Sequence, residues 1–251
     1  MRGRDHRQGG STVKKLYQKN ELTFAILWIV CYVVLFSLAD SLSEPTGIPK
    51  VFTLFLSIAM AAVLIGFICR NGLKEYYGLC PVRGSLKSYL YFLPLILIST
   101  CNLWNGLALP ENLPKALPAA VTLAIAGLLE ELIFRGLLFK AMCRDDQKAA
   151  IIVGSLTFGV GHIVNLLTGA PLPETLLQIA YATAIGYLFI VIFLKSGSIV
   201  PCIIAHCAIN GLSAFGRDAG TLVNILTALA LVVIPVAYAL WLGRKAAEQN
   251  A

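Results

Sequence analysis

Two adjacent carboxylates and an arginine stand inside a strongly apolar segment of this chain. They are Glu130, Glu131 and Arg135, in the stretch GLLEELIFRG within residues 117–142. A charge near the middle of a membrane-spanning helix costs about 2.5–3.5 kcal/mol on insertion scales. We therefore expect these side chains to have partners elsewhere in the chain and to form a site with them.

The spacing of the trio assigns different tasks to the two glutamates. On a helix, Glu131 and Arg135 share one face in the favoured order of acid before base. Glu130 is turned about 100° away from Glu131, so it does not share this partner equally well. We expect Glu131 to be the structural partner of Arg135, and Glu130 to be free to act as a general base.

The partners are easy to look for because the chain has three histidines. His6 lies in a basic N-terminal segment, whereas His162 and His206 lie in apolar segments. Asn210 follows His206 by four residues and shares its helix face. An imidazole and an amide are donors that stabilise a developing oxyanion.

A third set of residues, which includes His162, lies on one helix face. Phe158, His162 and Asn165 are separated by four and three residues. In this position His162 would help Glu130 to deprotonate a water molecule. Each feature alone also has a packing interpretation: an intramembrane Glu–Arg pair can be a clamp, and His or Asn can be interhelical contacts.

The composition is that of a membrane protein. The chain of 251 residues is 58% hydrophobic and 13% charged, with a mean hydropathy of +0.79. Ordinary soluble domains carry about 25% charged residues. Repeated apolar runs near 20 residues predict an all-α, multi-pass fold. The net charge of +7 is explained by lysine and arginine beside the membrane, so it does not indicate a nucleic-acid partner.

The apolar runs predict about eight transmembrane helices. They follow a basic cytoplasmic tail, residues 1–20, and form one membrane-embedded domain, residues 21–251; we interpret the first run as a retained signal anchor. The predicted spans are Leu22–Leu42, Val51–Cys69, Ser88–Leu107, Leu117–Met142, Ala149–Leu167, Glu174–Leu194, Ser198–Phe215 and Thr221–Leu242.

The distribution of basic residues predicts the orientation. With the N-terminus in the cytoplasm, the outer loops hold only Lys50, Lys115 and Arg217, and Arg135 lies within a span. The other sixteen of the 20 Lys and Arg residues are then cytoplasmic, so both termini are predicted to be inside. At about 1.5 Å per residue, Glu130, His206 and His162 lie roughly 15, 12 and 20 Å deep. We expect them to meet in a cavity open to the cytoplasm.

Several hydrolase classes lack their sequence motifs here. There is no H-E-x-x-H, no G-x-S-x-G and no second intramembrane aspartate beside Asp40. Cys202 and His206 share a face, but no second Cys pair completes a zinc set. The seven cysteines form no CxxC and are expected to be small buried thiols.

Three motifs together resemble the CPBP family, the CAAX protease and bacteriocin-processing proteins, which includes type II CAAX prenyl endopeptidases. The family's E-E-x-x-x-R, F-x-x-x-H and H-x-x-x-N motifs stand here as Glu130–Arg135, Phe158–His162 and His206–Asn210. They follow the family order on successive predicted spans, and the motif-bearing core covers about residues 117–215.

The resemblance implies an intramembrane endopeptidase that cleaves a membrane-associated protein or peptide. Glu130 and His162 would activate water, His206 and Asn210 would hold the oxyanion, and Glu131 and Arg135 would support the site. Phe158 and Asn165 would be supporting residues. Family members are often classed as metalloproteases, and a divalent metal such as zinc would be held by Glu130, His162 and His206; the sequence leaves the need for a metal open.

Two further interpretations stay open at this stage. One is a non-catalytic bacteriocin-immunity or scaffold protein in which the polar set is a packing network. The other is a transporter that uses the Glu and His residues as a proton relay. If the source is bacterial, the protein is expected in the cell membrane, with the site facing the cytoplasm.

Overall fold

The fold is α-helical, as predicted. The computed structural model describes residues 12–82 and 92–248, and it shows ten α-helices within these ranges. They are α1 (Thr12–Lys19), α2 (Glu21–Ser43), α3 (Val51–Arg70), α4 (Leu93–Ser99), α5 (Leu113–Glu130), α6 (Lys140–Cys143), α7 (Gln147–Gly161), α8 (Leu172–Ser196), α9 (Val200–Leu212) and α10 (Thr221–Glu248). A π-helix, Glu131–Phe139, joins α5 to α6 without a break.

Six of the described helical segments are long and apolar enough to cross a membrane. They are Glu21–Thr46, Val51–Arg70, Leu113–Cys143, Gln147–Leu167, Leu172–Ser196 and Thr221–Arg244. Each corresponds to one predicted span, and the predicted span Ser198–Phe215 corresponds to a shorter apolar helical segment, Val200–Phe215. The chain is thus an integral multi-pass membrane protein.

The predicted span Ser88–Leu107 falls partly outside the described residues. Its described part contains α4, which has seven residues. Seven helical residues rise only about 10 Å, one third of the hydrocarbon thickness. Pro94 lies in the first turn of α4, a position that suits the start of a helix but supplies no backbone N–H donor. The total of eight spans therefore stays a prediction, and the predicted tail is described only from Thr12, where α1 begins.

One end of the helix bundle, which we call the tail end, gathers the start of α2, the loops after α3 and α6, and the start of α9. Glu21 accepts hydrogen bonds from the Tyr76 and Tyr77 hydroxyls at 3.1 and 2.8 Å, and Arg144 lies 3.4 Å from it. Burial and the nearby Glu21 carboxylate raise the pKa of Tyr76 well above its usual range. The phenol therefore stays a donor, which ties the two loops to α2.

The opposite end, which we call the far end, gathers the loops after α2, α4, α7 and α9. Lys50 pairs with Asp40 at 2.6 Å. The side-chain amide of Asn102 donates to the Ile209 carbonyl at 2.7 Å. An isolated antiparallel bridge joins Leu107 to Gly216.

Two glycines allow the motif-bearing helices to approach closely. A Cβ on Gly127 of α5 would lie 2.9 Å from backbone atoms of His206 and Cys207 in α9. A Cβ on Gly159 of α7 would collide with the Thr183 hydroxyl of α8. Real Cβ atoms do not approach other atoms this closely, so these positions require glycine for the observed packing.

The crossing of α7 and α8 can be tested by adding one methyl group. Gly159→Ala should lower the stability by about 1–3 kcal/mol, because the added carbon must push two backbones apart. The measurement is the midpoint of thermal unfolding in detergent. The matched control is Gly66→Ala on α3, where no atom lies within 4 Å and alanine favours the helix. An unchanged midpoint for Gly159→Ala would show that the helices do not cross as described.

Candidate active site

The two glutamates stand where the backbone changes from α-helix to π-helix. Glu130 is the last residue of α5, and Glu131 is the first of the nine π-helical residues. All nine are buried. A π-helical segment uses i→i+5 hydrogen bonds and often occurs at functional sites. The straight α-helix assumed from the sequence is therefore wrong at this point, because the chain widens where the charges lie.

The predicted pairing of Glu131 with Arg135 is present. Arg135 Nη1 lies 3.2 Å from Glu131 Oε1, and the side chains are 1% and 0% exposed. This contact lacks hydrogen-bond geometry. The guanidinium also lies 4.0 Å above the ring of Phe158 and 5.5 Å from that of Phe189, so two aromatic faces stabilise its charge.

His206 lies between the two glutamates. Its Nδ1 is 2.8 Å from Glu131 Oε1, and its Nε2 is 3.2 Å from Glu130 Oε2. A carboxylate oxygen can only accept, so Nδ1 carries a hydrogen and donates it to Glu131. A bare Nε2 lone pair would repel the Glu130 carboxylate, so this second contact requires a proton between the two groups.

Glu130 has a hydrogen bond at one oxygen and lies beside His206 with the other. The Tyr32 hydroxyl of α2 donates to Glu130 Oε1 at 2.7 Å. Glu130 Oε2 is buried, and its 3.2 Å contact with His206 Nε2 lacks hydrogen-bond geometry. The side chain is 15% exposed, whereas Glu131 is fully buried. Tyr32 thus orients a carboxylate that is still partly accessible.

The Glu130 side chain lines a cavity of about 350 Å³. The structure brings most of the sequence-predicted residues to its wall: Glu130, Phe158, His162, Asn165, His206 and Asn210. Glu131 and Arg135 are not on the wall but lie behind it, where Glu131 contacts His206. The residues that line the cavity are thus separate from the buried Glu131–Arg135 pair behind them.

His162 has a defined hydrogen-bond partner. It follows the last residue of α7 and begins a 3₁₀ turn, His162–Thr168. Its Nδ1 lies 3.1 Å from the Phe158 carbonyl, which can only accept, so Nδ1 carries the hydrogen. In the neutral ring, Nε2 is then left as the acceptor. His162 can consequently take a proton at Nε2.

The segment that carries all three motifs also matches a known family. The family model described as "Type II CAAX prenyl endopeptidase Rce1-like" matches residues 112–212. This segment of the chain is similar to the CAAX protease family. No curated protein and no solved structure gives a significant match to the chain. The predicted resemblance is confirmed, and the matched family is one of endopeptidases.

Tyr32 is the main site residue that the motifs of the CAAX protease family did not reveal. It lies on α2, 98 positions before Glu130. Its only sequence signal is a tyrosine near the middle of an apolar span, where tyrosine is less usual than at the interface. Gln178, which accepts from Asn165 Nδ2 at 2.8 Å and also lines the cavity, was missed as well.

In the described part of the chain, Glu130, His162 and His206 are not arranged as a metal site. Residues 12–82 and 92–248 contain no group of three His, Cys, Asp or Glu side chains placed to hold a metal ion. Both ring nitrogens of His206 face carboxylates. The Cys202 thiol donates to the Phe189 carbonyl at 3.4 Å.

The cavity extends towards the end of the bundle opposite to the N-terminal helix. It reaches from Glu130 to far-end residues that include Lys50, Asn102 and Ser213. The N-terminal helix α1 lies at the tail end, beside Glu21. A cytoplasmic N-terminus and a cavity open to the cytoplasm both stay predictions.

The two glutamates should differ in their effect on folding. Glu131→Gln removes the ionic partner of a buried arginine, which typically costs about 3–5 kcal/mol. Glu130→Gln keeps an oxygen acceptor for Tyr32 and should fold in nearly normal amounts. The measurement is the yield of monodisperse protein in detergent and its unfolding midpoint. Normal yield for Glu131→Gln together with loss for Glu130→Gln would reverse the structural assignment.

Proposed function

We propose that the chain is an intramembrane endopeptidase that uses Glu130 to activate water. The observation that carries this proposal is the Glu130 carboxylate, which lines a cavity together with His162, His206 and Asn210. Its Oε1 accepts from Tyr32, and its Oε2 has no hydrogen bond among the described residues, although His206 Nε2 lies 3.2 Å away. A general base requires such an acceptor within reach of the substrate.

The charges of the site favour this assignment. If His206 carries the proton required between it and Glu130, two carboxylates oppose one guanidinium and one imidazolium, and the four groups sum to zero. Glu131 then stabilises the imidazolium through the 2.8 Å contact at Nδ1. The proton on His206 Nε2 then lies in the 3.2 Å contact with Glu130 Oε2, beside the cavity that both side chains line.

The proposed reaction is peptide hydrolysis without a covalent intermediate. The Glu130 carboxylate takes one proton from a water molecule, and the water oxygen attacks the carbonyl carbon of the scissile bond. His206 Nε2–H and the Asn210 amide donate to the carbonyl oxygen as negative charge develops on it. The proton held by Glu130 then moves to the leaving nitrogen as the C–N bond breaks. His162, through Nε2, would orient the attacking water.

A non-catalytic role, such as bacteriocin immunity or scaffolding, is the alternative. In that case the quartet would be a packing network, and Glu130 would be needed only for structure. The free acceptor and the cavity favour catalysis, because a packing network would be expected to satisfy the Glu130 carboxylate completely. Metal dependence and bacteriocin processing are not needed for the proposed reaction.

The proposal is tested by comparing membrane peptides from cells that carry the wild type and Glu130→Gln. Cleavage per unit of folded protein should fall about 10²–10⁴-fold, the usual contribution of a general base. Glu174→Gln, a carboxylate change in the first turn of α8, is the matched control and should cleave normally. Equal cleavage by wild type and Glu130→Gln would exclude a glutamate-dependent protease.

Tyr32→Phe should separate positioning from folding. The substitution removes only the hydroxyl that donates to Glu130 Oε1 and keeps the ring that packs 4.3 Å from Phe36. Cleavage should fall about 10–10²-fold, since one hydrogen bond to a charged group is worth roughly 1.5–3 kcal/mol. The measurement is kcat at normal thermal stability, with Tyr187→Phe as a control. A wild-type rate would show that Tyr32 does not position the base.

A further inference from the structure

The two ends of the helix bundle carry very different numbers of basic side chains. Among the described residues, the far end has Lys50, Lys115 and Arg217. The tail end has many more: Lys14, Lys15, Lys19, Arg70, Lys74, Lys140, Arg144, Lys148, Lys195 and Arg244. Basic residues next to short spans are retained on the cytoplasmic side. The tail end is therefore cytoplasmic by this rule.

The catalytic cavity lies towards the opposite end. Its wall includes the far-end residues Lys50, Asn102, Asn165 and Ser213. On the tail side of Glu130, the chain is tightly packed: Leu132, Ile133, Leu137 and Phe139 are 0 to 1% exposed. A substrate that approached from the cytoplasm would have to displace this layer and the contacts of Glu21.

We propose that the cavity opens to the extracytoplasmic side and accepts an extended segment at the outer boundary of a membrane-anchored protein or peptide. This inference rests on the proposed function for the cleavage step, whereas the orientation is independent of it. It replaces the expectation of a site facing the cytoplasm. The substrate class is thus defined by its location and its local conformation.

The depth of the site sets the length of the segment. Tyr32, which contacts Glu130, and Asp40, which pairs with Lys50 at the mouth, are eight residues apart on α2. Eight helical residues rise about 12 Å. An extended chain covers this distance with about four residues. The scissile bond should consequently lie about four residues inside the outer membrane boundary.

The shape and lining of the cavity favour an extended rather than a helical segment. In a helix each backbone carbonyl already accepts an i→i−4 hydrogen bond, whereas an extended segment leaves the scissile carbonyl free to accept from His206 and Asn210. The inner wall is apolar, with Phe36, Phe134 and Ile185, whereas the mouth has the Asp40–Lys50 pair and Gln178. The preferred segment is therefore apolar at the scissile bond and polar where it leaves the membrane.

The orientation can be tested with a thiol reagent that does not cross membranes. Glu111→Cys places a thiol at the exposed far end, and Lys74→Cys places one at the exposed tail end. In intact cells a charged maleimide should label Glu111→Cys, and it should label Lys74→Cys only after permeabilisation. The unsubstituted chain measures background, since Cys80 and Cys143 lie at the tail end. Labelling of Lys74→Cys but not Glu111→Cys in intact cells would overturn the proposal.

The substrate class is tested by mapping peptide ends in the same cells, with wild type and Glu130→Gln compared. Products that depend on Glu130 should end about four residues inside the outer boundary and carry their polar part outside. Glu130-dependent products that arise only from cytoplasmic segments would overturn this inference and leave the proposed function intact. If neither side yields such products, the proposed function and the substrate class both fail, while the labelling result still decides the orientation.

Discussion

The buried charge group is the constraint on which the rest of the structure depends. Arg135 and Glu131 are almost completely excluded from solvent, inside a helix that crosses the membrane. Neither charge is tolerable alone in this surrounding, because its desolvation costs several kcal/mol. The pair also has further polar neighbours, because Glu131 contacts His206 and His206 contacts Glu130. Each member therefore fixes the position of the next.

This requirement explains the packing of the motif-bearing helices. The charges come from α5, the π-helix and α9, and they can meet only if the backbones approach closely, which Gly127 permits. Gly186 of α8 leaves room for the Phe158 ring and the Arg135 guanidinium on the other side. Phe158 then fills the space between Arg135 and both histidine rings, at 5.4 and 5.5 Å from the latter. The glycines and the phenylalanine are thus consequences of burying an arginine.

The sequence predicted those parts of the site that depend on local spacing or on the small number of histidines. Glu131 and Arg135 are four apart, and only two histidines lie in apolar segments, so their association followed from the cost of isolated charges. Tyr32 was not predictable in this way, because its partner is 98 positions away and tyrosine is neutral. The π-helix was also missed: nothing in the spacing distinguishes it from an α-helix. The side on which the cavity opens depends on where the helices diverge. The depth of a residue along its own span does not give this information.

The difference between the two glutamates then follows from access rather than from chemical type. Both are carboxylates on consecutive residues, and both contact His206. Glu131 is closed off by Arg135 and the surrounding core, so it can serve only as a fixed negative charge. Glu130 is held by Tyr32 at Oε1, and its side chain lines the cavity, so proton transfer needs no rearrangement of the charges behind it. Fixed charges cost no reorganisation when a reaction begins. The buried Glu131–Arg135 pair, which costs folding free energy, would therefore support Glu130 and His206 at the cavity.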